Sequence, residues 1–413
     1  MEIPSQLLTA GYGYPIYGTV DQGWQEFTGR FAANWSPKLS FTDQTLFYGS
    51  FAHGYKAGGA NPPGAQLLVF GSAAYGDTQG VSTPIHPLTF KPEFINAYEL
   101  GTKNTLLDGA ITFNGNVFFY DYTGYQISRI VDRTAINDNF DATVKGAEVE
   151  ATYEPLPGLR FKFAGGYEHT RIDNGQSSID LMDRADIEEH PDWMVVKPWV
   201  SQASNCILPT YVVAAILKAR PPGTGNGTSS VPGACANAYQ AGHDPVTGEP
   251  YKTDGPPVFP TDYDSSLGLQ DPGDYPGFDP ASAPNNGEGF AKNLGGNELP
   301  NAPPFTVSMS ADYTIPVTSD WASTFHIDYY WQDYSWARVF NDNPYDRLRG
   351  YTSVNLALVL TSQEGWKVMG YVKNVFDVTD ITGTFLNSDD SGLTTNVFLT
   401  DPRLFGVRVT KTW

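Results

Sequence analysis

The stretch Trp321-Ala322-Ser323-Thr324-Phe325-His326-Ile327-Asp328-Tyr329-Tyr330-Trp331-Gln332 alternates with a period of two. One side carries Trp321, Ser323, Phe325, Ile327, Tyr329 and Trp331; the other carries Ala322, Thr324, His326, Asp328, Tyr330 and Gln332. Successive side chains of an extended chain point to opposite faces, so this pattern reads as a strand held between an apolar and a polar environment. It is longer than the ~5–6 residues of an ordinary globular strand and suits the ~9–11 residues of a tilted membrane-crossing strand.

The same alternation recurs on both sides. Phe305, Val307, Met309, Ala311 and Tyr313 oppose Thr306, Ser308, Ser310 and Asp312. Lys145, Ala147, Val149, Ala151 and Tyr153 oppose Gly146, Glu148, Glu150 and Thr152. Lys145 interrupts an apolar face and fits there only if it reaches toward a membrane interface along its aliphatic stem. Read this way, the chain holds about 11 strands, at roughly 24–35, 44–54, 94–104, 110–122, 142–153, 159–172, 304–315, 321–335, 350–361, 365–376 and 402–413. Short connections at 36–43, 105–109, 154–158, 316–320 and 361–365 alternate with long ones at 55–93, 123–141, 173–303, 336–349 and 377–401. An up-and-down outer-membrane barrel sorts its loops in this way, with tight turns on the periplasmic side and long loops outside, whereas a soluble sandwich has no reason to. The fold class expected is therefore all-β, an antiparallel up-and-down transmembrane β-barrel. The 173–303 insert, rich in Pro, Gly, Asn and Asp, reads as a long extracellular loop with a short helix near Tyr211 to Lys218.

Composition agrees. The net charge is -20 and the pI about 4.5, which argues against nucleic acid and against adhesion to anionic membrane surfaces, since both need a basic footprint. Aromatic residues reach 14% while charged residues are 17%, with 42 Gly and 31 Pro to supply turns. No apolar run approaches the ~20 residues of a membrane helix, and the mean hydropathy of -0.31 is what a barrel shows when only alternate residues face lipid. Met1-Glu2-Ile3-Pro4 opens no signal peptide, so on a barrel-like chain a missing N-terminal portion is expected.

Several segments, in order, resemble the TonB-dependent receptor barrels: Asn34-Trp35-Ser36-Pro37, Leu46 to Phe51, Gly54 to Gly59, Lys91-Pro92-Glu93, Tyr98 to Lys103, Phe119-Tyr120-Asp121-Tyr122, Lys145 to Glu150, Val372 to Asp377, and Pro402 to Arg408, ending on the aromatic Trp413. The resemblance covers nearly the whole chain and identifies it as the C-terminal portion of such a barrel, with the plug domain and energy-coupling box absent. Receptors of this class have about 22 strands, so half a barrel is expected. The resemblance implies active uptake of a scarce nutrient, foremost a ferric siderophore or similar iron chelate, in the outer membrane of a Gram-negative bacterium. Its implied partners are the TonB complex (through the plug), the nutrient ligand, outer-membrane lipid and the barrel assembly machinery. A half-barrel has two unpaired edges and, lacking a plug, is expected not to perform coupled transport alone.

Site residues are sparser. Trp336, Arg338, Tyr345, Arg347 and Arg349 share one long loop, and guanidinium with aromatic groups suits an anionic, partly aromatic chelate; the plainer reading is loop surface and interface aromatics. Cys206 and Cys235 lie in the large insert, where an oxidising exterior favours a disulfide over two free thiols. Phe405, Val407, Val409 and Trp413 fall on one face of the last strand, like the family's C-terminal insertion signal, and Lys411 stands where an apolar residue is usual. Gly223 to Gly227 lacks nucleotide-binding spacing and reads as a loop tip. Asp262, Asp264, Asp271, Asp274 and Asp279 fit no EF-hand and read as a solvated acidic loop. The six histidines are scattered without paired metal spacing, so no metal site and no cofactor is expected. His326 should point into the lumen, toward the plug, and Glu148, Glu150 and Asp328 read as ordinary lumen charges. No nucleophile–base arrangement suggests an enzyme. Two rivals remain: a self-closing porin-like channel, which requires the first and last strands to pair, and a secreted β-rich binding protein or enzyme, which requires a second layer over the apolar face.

Overall fold

The computed structural model describes residues 21–61, 89–131, 134–196, 206–219, 278, 282–387 and 394–413. Eleven long strands form one sheet in strict chain order, each hydrogen-bonded antiparallel to its sequence neighbour. They are β1 (Gly29–Trp35), β2 (Gln44–Lys56), β3 (Glu93–Leu106), β4 (Ile111–Val131), β5 (Thr134–Leu156), β6 (Leu159–Ile172), β7 (Phe305–Pro316), β8 (Trp321–Gln332), β9 (Tyr351–Ser362), β10 (Trp366–Lys373) and β11 (Leu404–Lys411). The sheet is open: β1 and β11 are its two edges and do not pair, so the closure required by a porin-like channel is not made. Among the described residues, no second sheet is layered on the apolar face.

Register explains why the alternation was so regular. Paired residues share a face, and one cross-strand row runs Tyr153, Phe161, Ala311, Ile327, Leu356, Val372, Phe405. A second runs Phe31, Phe51, Tyr98, Phe119. The aromatic and large aliphatic side chains of these rows remain exposed, with Phe161 at 42%, Ile327 at 43% and Phe405 at 69%, as a lipid-facing surface demands. Lys145 closes the second row against Phe119 and His169 at the long-loop end of the sheet, the position from which it reaches an interface.

The turns at 107–110, 157–158, 317–320 and 363–365 all lie at one end. Gly158 (φ 84°) and Gly365 (φ 85°) close two of them in the left-handed region, and a Cβ on either would strike a backbone carbonyl, of Thr314 or Thr412. No other residue fits such a position without strain.

Three expectations change. The connection at 123–141 is not a loop: β4 and β5 continue as a ladder from Tyr125–Phe140 to Val131–Thr134 after a register shift between Tyr122 and Tyr125. Gly124, at φ 68°, absorbs that irregularity, as glycine does at a bulge. β10 stops at Lys373 because Asn374 (φ 46°) turns the chain and is buried, its side chain bonding Val378 and the carbonyl of Asp401. The large insert is also structured where it is described. Ser177–Ile179 pairs with Ala291–Asn293, and Trp193–Val196 pairs with Cys206–Pro209. A helix follows at Thr210–Ala219, over the span expected.

The largest buried cluster lies where the sheet meets its long loops. Phe140, Ala142 and Val144 of β5 and Ile172 of β6, on the polar-face side at the long-loop end, are covered by Leu294, Leu299, Val339 and Phe340 from two long loops. Those loops fold inward over the end of the sheet as a cap, and apolar burial of this kind is what fixes them.

Candidate ligand-facing loop cap

Three cations pin the cap. Arg338 donates to Asp180 at 2.5 Å and to Asp346 at 2.9 Å through Nε; the Asp180 side chain is only 2% exposed. Burial opposes the charge on Arg338, but hydrogen bonds and charge from Asp346 and Asp180 outweigh it and hold the guanidinium above its ordinary range. Lys292 reaches Asp342 at 2.9 Å, Asp183 at 3.0 Å and Asp186 at 3.7 Å. Burial would lower its ammonium, yet Asp342 and Asp183 hold it above the usual lysine value. Burial raises the Asp342 carboxyl in turn, and Lys292 more than reverses this. Arg129, on the extension of β4, pairs with Asp138 at 2.7 Å and Glu288 at 3.4 Å. Arg338–Asp180, Arg129–Glu288 and the Lys292 contacts join segments far apart in sequence, while Arg338–Asp346 and Arg129–Asp138 are local.

The residues singled out in the 336–349 loop are brought together only in part. Trp336 and Arg347 are partners in a two-residue ladder, Ser335–Trp336 with Arg347–Leu348. The Arg347 guanidinium lies 4.2 Å above the Tyr334 ring, a stacked cation–π arrangement. Tyr345 is 89% exposed and Arg349 is exposed. Arg338 faces the carboxylates, so its charge is spent on the cap. Nothing in the local sequence of Asp180 or Asp183 announces a contact over such separations, and Asp342, which reads as part of a solvated acidic stretch, is instead held by Lys292. Cys206 is buried and disulfide-bonded; Cys235, the other cysteine in the sequence, lies outside the described residues, as do Gly223 to Gly227 and the acidic stretch 262–279 apart from Phe278.

Below the cap, the polar face carries ordered networks. Tyr48 donates to Glu99, and Asn116 donates to both Glu99 and Glu148 at 3.1 Å. His326 lies 2.7 Å from Asp312 and 3.5 Å from Asp328, and Asn355 donates to Asp328 at 2.9 Å. At the edge strand, Phe405, Val407, Val409 and Trp413 stay exposed, from 58% to 102%. Lys411 answers its own anomaly: its ammonium sits 5.0 Å from the Trp366 ring and 5.6 Å from the Trp413 ring and donates to the Glu364 carbonyl.

A meander of long antiparallel strands with an apolar belt on one face, a polar network on the other and loops sorted by end defines the wall of an outer-membrane β-barrel. Residues 6–201 match the family described as TonB dependent receptor-like, beta-barrel, a family of proteins of the Gram-negative outer membrane. Among solved structures it is similar to the ferric yersiniabactin uptake receptor of Yersinia pestis, with 15% identity, a TM-score of 0.49, and 92% of this chain against 36% of that one. It is also similar to the siderophore receptor PiuA of Acinetobacter baumannii, with 12% identity, a TM-score of 0.46, and 92% against 35%. A copper transporter, OprC, stands beside them at 11% identity, a TM-score of 0.44, and 92% against 38%. The chain thus spans about a third of the length of these receptors. Comparison with curated proteins gave no match.

Proposed function

We propose that the chain forms part of the barrel of a receptor that takes up a scarce nutrient in a TonB-dependent manner, foremost a ferric siderophore or similar iron chelate. The observation that carries this reading is the family match over residues 6–201. In it the long loops lie outside the cell, the loops in the 173–303 and 336–349 regions meet the ligand, and the short turns face the periplasm. Tyr345, Arg347, Arg349 and Trp336 supply aromatic and guanidinium groups to an anionic chelate, while Arg338 positions the loop that carries them. His326 and the Glu99–Asn116–Glu148 network face a plug domain, through which the TonB complex acts. Phe405, Val407, Val409 and Trp413 present the last strand to the barrel assembly machinery, and Cys206 pairs with Cys235 to close the loop between them.

The test is a tryptophan-fluorescence titration of the detergent-solubilised chain with a panel of ferric chelates. One chelate should quench saturably, with Tyr345→Ala and Arg349→Ala weakening its binding. No saturable quenching by any ferric chelate would overturn the substrate class.

A further inference from the structure

The histidines were read as scattered, but one of them stands in a mixed ligand set. Asp186, Glu189 and His190 each offer one ligand atom, and the three atoms lie within 4.8 Å of one another. The cause is local. The backbone N–H groups of Glu189 and His190 both donate to the Asp186 carbonyl, at 3.0 and 2.7 Å. This single turn puts positions i, i+3 and i+4 on one side.

Two further features distinguish the set from a solvated acidic turn. The imidazole is braced, stacking on Phe290 at 3.7 Å between centroids and 12° between planes, and Phe290 is met edge-on by Trp193 at 5.2 Å. The neighbouring cation is committed elsewhere: Lys292 bonds Asp183 at 3.0 Å and Asp342 at 2.9 Å and lies farther from Asp186, at 3.7 Å. Glu189 is exposed while Asp186 and His190 are half-buried, so Glu189 is the carboxylate with the most freedom to move. A tetrahedral ion with ligands at ~2.0–2.2 Å holds them roughly 3.3–3.6 Å apart, a contraction within reach of a rotamer change at Glu189.

We propose that Asp186, Glu189 and His190 form a site for a divalent transition-metal ion of the zinc type, set in the cap beside the Lys292 node. One imidazole and two carboxylates favour zinc, nickel or copper over calcium and magnesium, which take oxygen alone. Three protein ligands leave a fourth position for water or for an outside donor. Bound there, the ion fastens the 183–190 turn to itself and stiffens the segment that carries Asp183 and Asp186.

Calorimetric titration of the full chain in detergent with zinc chloride tests this, alongside His190→Phe and Glu189→Gln. His190→Phe keeps a ring to stack on Phe290 and removes only the ligand, and circular dichroism checks that it folds. The wild type should bind one ion per chain with calcium unable to compete. His190→Phe should weaken binding by more than the roughly 10–100-fold typical of losing an outer-shell partner. Equal affinity of wild type and His190→Phe, displacement of zinc by equimolar calcium, or no stoichiometric binding would each overturn the site.

Discussion

The wall and the cap are stabilised in opposite ways. In the wall, neighbours in sequence are neighbours in space: every strand pairs with the next, and the face that is apolar stays exposed to its surroundings. In the cap, the contacts that matter join distant segments, and a small apolar core is ringed by cations that each hold more than one carboxylate. The wall depends on a solvent, the hydrocarbon layer, and on backbone ladders between each strand and the next. The cap depends on a few side chains. Changes in one region should therefore leave the other standing, and that separation is open to attack.

The largest effect belongs to Arg338. Replacing it with Leu strands Asp180, whose side chain is 2% exposed, and breaking a buried pair from one side costs about 3–5 kcal/mol. Hydrogen exchange should show the 177–190 and 336–349 segments losing protection while β7, β8 and β9 keep theirs; equal loss in the wall strands would break the comparison.

Next comes the wall. Ile327→Arg puts a charge on the apolar row at mid-strand and should cost ~2–4 kcal/mol. Thr324→Arg, on the opposite face, should cost far less, although it gives up the hydrogen bond between Thr314 and Thr324. Urea titration of the chain folded into lipid vesicles reads both, and similar losses for the two would contradict the assignment of faces.

A smaller effect concerns pH. Asp342 is lowered from 3.8, so its contribution is complete above that value and lost as pH falls through its lower folded value. Lys292 is raised from 10.5, so its contribution is complete below that value and lost as pH rises through its higher folded value. The Lys292 node is therefore constant between about pH 5 and 9. Protease cleavage at the 177–196 segment should be flat over that range, and a step within it would mean that another group controls the cap. Smallest of all is Tyr345→Ala: a fully exposed loop side chain should change stability by no more than ~0.5 kcal/mol, so any loss of ligand binding by this variant reports contact and not unfolding.

The same contrast sets what was legible from sequence. Period-two alternation is a local property, and the sheet order and the Phe325/Ile327 face follow from it directly. The β4–β5 extension was missed because Thr123-Gly124 and the polar run Asn137-Asp138-Asn139 carry turn chemistry, yet cross-strand pairing overrides it. Arg338 is legible in sequence as a cation of a long loop but not as one already neutralised, since Asp180 lies far away in sequence. The Asp186, Glu189, His190 set was visible as spacing, but a search for paired histidines passes over it.

The most direct test of the barrel wall is cysteine scanning across Phe325, His326, Ile327 and Asp328 in membranes, with a water-soluble and a lipid-soluble thiol reagent. Positions 325 and 327 should react with the lipid-soluble reagent alone, and 326 and 328 with the water-soluble one. Reversed labelling, or no alternation between the four positions, would contradict the account.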